Sequence, residues 1–163
     1  MDDNFKRKII IGLMIMAVGI SVLFHKHQIM EQRKLTVMNE FVLAHVDPDK
    51  YMQAIDYSKP VVVYHINKGD KFIQYQVPGA PQGNFYALEG STPTELGISD
   101  VGWDPKSEKV VKKEMRIYTA TKDFDVLSSY SAPVVDNWST PEIETQTTGH
   151  KLQLFTTCKP CFE

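Results

Sequence analysis

At 163 residues, 42% of them apolar and 23% charged, the chain has room for one domain of ordinary size plus a short appendage. Its formal charge of -2 hides a division, because 14 basic and 18 acidic residues lie beyond position 27. A basic face that follows a phosphate backbone is excluded, since Glu108 and Glu114 interrupt the run Lys106, Lys109, Lys112, Lys113 and Arg116, and no nucleic-acid partner is expected.

The first element in chain order is an uncharged apolar stretch from Ile9 to Phe24, flanked by Lys6-Arg7-Lys8 and by Lys26. As a helix it covers ~24 Å of a hydrocarbon layer near 30 Å thick, and the alkyl stems of Lys8 and Lys26 extend its reach. A cleaved signal peptide shares the basic start and the short apolar run. Its one small-x-small triplet, Gly19-Ile20-Ser21, would leave Val22-Leu23-Phe24 on the mature end, so residues 1–27 are expected to stay as a membrane anchor. Cationic residues stand on both sides of the span, and those closest to it favour the N-terminus inside. The expectation is a single pass through a bacterial inner membrane with the globular part in the periplasm.

Residues 28–58 read as a stalk or packing region. No Gly or Pro falls between His25 and Ala44, and Met30, Val37, Met38, Phe41 and Val42 recur at helical spacing. Asp47-Pro48-Asp49 marks a stop and a new N-cap, and a short helix through Tyr51 to Tyr57 ends before Lys59-Pro60.

From 59 to 163 the texture is β-branched and aromatic, broken by Gly and Pro. Strands are expected at Val61–Ile66, Phe72–Gln76, Asn84–Leu88, Glu114–Thr119, Phe124–Leu127 and Leu152–Phe155, with a loop over Gly97–Val110 that contains Trp103. The fold class is therefore α+β: one N-terminal transmembrane helix and stalk, then a β-rich domain.

His25, His27, His45, His65 and His150 show no metal-ligand spacing on the globular part, so no metal is expected. Cys158-Lys159-Pro160-Cys161 has redox spacing without a following helix to lower a thiol pKa; it reads as structural or inert, and an oxidising compartment would allow a small disulfide. Nucleophile-elbow, P-loop and dinucleotide fingerprints are absent from the sequence. What remains is His65 inside an apolar strand, Phe85-Tyr86 on a second strand and Gln153 on a third, each of which, taken alone, is ordinary core or strand.

The stretch Ser128-Ser129-Tyr130-Ser131-Ala132-Pro133-Val134-Val135-Asp136-Asn137-Trp138-Ser139 precedes a Gly149-His150-Lys151 turn and the Gln-bearing Leu152-Gln153-Leu154-Phe155. With Gly83-Asn84-Phe85-Tyr86 and Leu96-Gly97-Ile98 upstream, it resembles the polymorphic toxin type 46 domain over roughly 60–155. That family is similar to the ADP-ribosyltransferase fold and to the tuberculosis necrotizing toxin, which destroys NAD. The resemblance implies His65 and Tyr86 as dinucleotide-binding residues, Gln153 as the catalytic residue, and NAD as substrate with no resident cofactor.

A Gln carbonyl orients a ribose hydroxyl or a water but cannot take a proton, so hydrolysis of NAD is the expectation ahead of ADP-ribosyl transfer. The resemblance also implies a glycine-rich turn where this chain has His150 and Lys151, side chains that would narrow a site. Two rival expectations follow: a non-catalytic anchored component of an envelope or secretion assembly with a protein partner there, and a degenerate toxin fold kept as a binding module.

Overall fold

The computed structural model describes residues 3–133, 135–136, 145–146 and 148–163. Trp138, one of the residues on which the family resemblance rests, lies outside them.

Helix α1 runs unbroken from Asp3 to Leu43. Its first half is long and apolar enough to cross a membrane, and Ile9 to Phe24 expose their large apolar side chains. Its last turns behave oppositely, with Val37 and Phe41 fully buried against the sheet. One helix thus serves as apolar rod and as packing element, the change falling where Arg33 donates from Nη1 to the carbonyls of Tyr57 (3.0 Å) and Ser58 (2.9 Å).

The helix ends in a Schellman arrangement: His45 takes φ 55°, Val46 N–H reaches Phe41 O at 3.0 Å and His45 N–H reaches Val42 O at 3.0 Å. Asp47 then caps α2 (Pro48–Tyr51), its side chain accepting from Asp49 N–H. A 3-10 turn at Met52–Ala54 follows and ends at Ile55, which bridges to Ser131. The expected helix to Tyr57 therefore stops at Ala54, because Ile55 is drawn into the sheet.

The strands are β1 (Val62–Ile66), β2 (Lys71–Gln76), β3 (Phe85–Ala87), β4 (Val101–Asp104), β5 (Lys109–Lys112), β6 (Glu114–Thr119), β7 (Phe124–Tyr130), β8 (Val135–Asp136), β9 (Thr145–Gln146) and β10 (Leu152–Phe155). Six form one antiparallel sheet in the order β1-β7-β10-β3-β2-β6. The domain is α+β. Two strands, β4 and β5, make a separate hairpin across the stretch expected to be a loop, with Trp103 opposite Val110. Gly102 and the charged turn between the strands hide its alternation.

Each face of the sheet carries a packed cluster. One carries Ile66, Phe72, Tyr86, Val126 and Leu154 and is closed by Cys161 and Phe162. Cys158 and Cys161 are joined in a disulfide that shapes this C-terminal turn. The other face carries Leu127 and Phe155 and is closed by Val37, Phe41 and Ile55. Helix α1 is therefore part of the packed body from about Val37 onward.

Candidate functional site

A strand's pleat sends successive side chains to opposite faces, so the cross-strand register decides which of the candidate residues can meet. Gln153 stands opposite Ala87 on β3 and Ser129 on β7, and Ala87 stands opposite Ile73 on β2. These residues share the face that α1 covers. Beside the helix the cover is incomplete, and a cavity of about 370 Å³ opens there, lined by Gln153, Ala54, Ile73, Tyr75, Ala87 and the loop Leu96-Gly97-Ile98, among others.

Gln153 is 4% exposed. Its Nε2 donates to Ala54 O (3.0 Å) and Ser129 Oγ (3.4 Å), which occupy both amide protons and fix the plane of the group. Ser129 belongs to the stretch that carries the family resemblance, so that stretch supplies the partner that orients Gln153. The remaining polar atom of the amide is its carbonyl oxygen, an acceptor.

The rim is tied together by Ser131, which is fully buried. Its Oγ donates to Glu95 O (2.8 Å) and accepts from Lys151 N–H (3.2 Å), while its carbonyl accepts from His150 N–H (2.6 Å). Thr148 and Gly149 N–H both reach Thr94 O at 3.1 Å. Gly149 is required here: its φ is 61°, and a Cβ would stand 2.4 Å from the carbonyl carbon of Ala132.

His150 and Lys151 turn away to carboxylate partners, His150 Nδ1 lying 3.4 Å from Asp56 Oδ2 and Lys151 Nζ 3.4 Å from Glu95 Oε1. Neither is among the residues that line the cavity. Burial works against ionisation of Asp56, but hydrogen bonds from Ser58 and His150 outweigh it and hold its pKa below the usual carboxylate value. Hydrogen bonds from Thr92 N–H and Oγ1 lower that of Glu95, with a further contribution from Lys151.

The structure places Tyr86 and Gln153 on adjacent strands and among the residues that line this cavity, with their side chains on opposite faces of the sheet, while His65 is not among the lining residues. Tyr86 stands opposite Leu154, on the other face, where its ring stacks on Phe162 at 4.3 Å and its hydroxyl accepts from Gln82 Nε2 at 2.7 Å. Burial pushes its pKa up to about 12. His65 shares the face of Gln153 but lies two strands across and four residues along, roughly 17 Å away by strand spacing and rise. Leu127 and Phe155 intervene. His65 is exposed, and its Nδ1 lies 2.7 Å from Asp125 Oδ1, an interaction that raises its pKa.

Tyr75, Glu95 and Ser131 were not singled out from sequence, because serine, glutamate and tyrosine at a loop or strand end carry no distinctive spacing. The stretches that carry the family resemblance already contained Ser129 beside Gln153 and, in Gly83-Asn84-Phe85-Tyr86 and Leu96-Gly97-Ile98, part of the cavity wall.

Residues 29–162 match the family described as Bacterial toxin 46, and the chain belongs to it. Among curated proteins it is similar to the NAD(P)(+) glycohydrolase toxin Tse6 of Pseudomonas aeruginosa, 38% identical over 117 residues that make up 71% of this chain. Those residues cover 27% of Tse6, so the chain spans about a quarter of that relative's length. Among solved structures it is similar to Tse6 in complex with Tsi6, with a TM-score of 0.69 and 31% identity over 82% of this chain and 94% of that one. The family match begins at residue 29, ahead of Val37 and Phe41, where α1 joins the packed body.

Proposed function

We propose that the chain is a toxin domain that hydrolyses NAD or NADP at the nicotinamide–ribose bond, with Gln153 as the residue that acts on the substrate. The observation that carries this reading is Gln153 itself: a buried amide, held by Ala54 and Ser129, at the cavity of a domain whose relative is an NAD(P)(+) glycohydrolase toxin. In the reaction the C–N bond breaks with its electron pair passing to the pyridinium nitrogen, which leaves as neutral nicotinamide. Water adds to the ribosyl carbon and releases a proton to solvent.

The step asks for orientation and electron-rich neighbours around an oxocarbenium-like centre more than for a strong base, and a fixed amide carbonyl offers both. Hydrolysis is favoured over ADP-ribosyl transfer because Gln153 cannot activate an acceptor by taking its proton. The contacts of His150 with Asp56 and of Lys151 with Glu95 favour a working site over a degenerate one, since they hold both side chains at the rim and out of the cavity.

The first half of α1 is read as a membrane anchor with the domain on the outer side of a bacterial inner membrane, a compartment in keeping with the Cys158–Cys161 disulfide. Protease digestion of intact spheroplasts tests that placement: cleavage of the domain without lysis is expected, and full protection would reverse it. The activity is tested by nicotinamide release from NAD by the full chain in detergent, beside Gln153→Ala. Loss of about 10²-fold or more is expected for the variant. Equal rates would remove Gln153 from the reaction, and His65→Ala in the same assay shows whether β1 takes part.

A further inference from the structure

A second cavity, about 460 Å³, adjoins the first and shares Tyr75, Gln76, Gly83 and Ile98 with it as a common wall. Its far side is formed by the β4–β5 hairpin. Trp103, 46% exposed, offers an indole face there. Lys106, at the hairpin turn, lies across the Val77–Ala80 turn with Nζ 3.2 Å from the place where a Cβ on Gly79 would project. Gly79 has φ 76°, so glycine both makes this turn and admits the ammonium. Arg116 braces the same turn from behind, donating from Nη1 to Ala80 O at 3.0 Å.

The neighbouring carboxylate, Asp104, also lines the cavity; it accepts from Lys106 N–H at 3.0 Å and from Ser107 Oγ at 2.6 Å, and the Lys106 charge adds a smaller attraction to it. The rim therefore pairs an accessible aromatic face with an ammonium. An aromatic face stacks a base whatever its identity, and a point charge on a flexible stem suits a phosphate.

The spacing sets the class of ligand. Gln153 lies two strands from Ile73, and Tyr75 is two residues further along the same face, so the shared wall stands roughly 12 Å from Gln153. One nucleoside at Gln153 would not pass that wall, whereas two nucleosides joined by a pyrophosphate would. We propose that the Trp103–Lys106 groove binds the adenosine-phosphate half of the dinucleotide, with adenine on the indole and phosphate at the ammonium. This makes the chain selective for dinucleotides over nicotinamide mononucleotide. The proposal rests on the hydrolase reading and extends it to residues that neither the family resemblance nor the cavity at Gln153 had marked.

The test compares Trp103→Ala and Lys106→Gln with the unaltered full chain in detergent, using NAD and nicotinamide mononucleotide as substrates. Each substitution is expected to raise KM for NAD about tenfold or more, the scale of one lost stacking or charge contact, with kcat kept. Constants for the mononucleotide should not move. An unchanged KM for NAD, or parallel changes on both substrates, would overturn the proposal.

If the unaltered chain releases no nicotinamide from either substrate, the hydrolase reading fails and the groove is judged by binding alone. In a Trp138→Phe background, saturable quenching of Trp103 fluorescence by ADP-ribose that Lys106→Gln weakens would support the groove. No quenching would remove it.

Discussion

Replacing Phe41 by alanine tests whether the last turns of α1 belong to the folded body or only carry it. Phe41 is fully buried, with its ring centroid 4.6 Å from that of Phe155 and 5.9 Å from that of Tyr51. Truncating a buried phenylalanine costs about 3–5 kcal/mol, and the amount rises when the surroundings cannot collapse into the gap. Collapse is restricted here because Arg33 holds the helix to the Tyr57 and Ser58 carbonyls while the Schellman turn fixes its end. The two ring contacts contribute further, so the upper half of the range, about 4–5 kcal/mol, is expected.

Against a domain stability of about 5–15 kcal/mol that is a large fraction. Urea unfolding of the full chain in detergent, followed by near-ultraviolet circular dichroism, measures it. Val42→Ala, at an exposed position one residue on, should cost about 0.5 kcal/mol or less. A loss of about 1 kcal/mol or less at Phe41, similar to that at Val42, would refute the packing role and return the helix to a mere stalk.

Two further outcomes follow from local geometry. His65, raised by its hydrogen bond to Asp125, should titrate by NMR above the usual value near 6.5, and Asp125→Asn should bring it back. The associated stabilisation is fully present below the unfolded value and is lost as pH rises through the higher folded value; a His65 that titrates identically in both proteins would refute the contact. Gly149→Ala needs φ 61° and drives its Cβ into the Ala132 backbone, so a thermal shift equivalent to more than about 1 kcal/mol is expected, and an unchanged Tm would contradict the close approach.

Strand positions were legible because β-branched and aromatic runs between glycine and proline declare themselves. The ends of the main sheet's strands fall within a few residues of expectation, β7 alone running on to Tyr130. What the pattern does not carry is which strand lies beside which, and hence which side of the pleat a residue joins. Tyr86 and Gln153 occupy neighbouring strands, yet one residue of register puts them on opposite faces. The β4–β5 hairpin escaped notice because Gly102 and Asp104-Pro105-Lys106-Ser107 read as loop chemistry. Its strands pair only with each other, so burial imposes no strict alternation.

The position of β10 has a consequence for how the molecule comes into being. Before β10 is in place, β1 and β7 can zip together, and so can β3, β2 and β6, but among the described residues no strand pairing joins the two groups. The strand that bears Gln153 is the keystone between them, and both of its neighbours precede it in the chain. Without β10 the strand pairing therefore leaves two half-sheets and no cavity floor. Completion of the site hangs on one short strand, and an agent that withheld β10 would take Gln153 out of the cavity while leaving the pairings within each half-sheet intact.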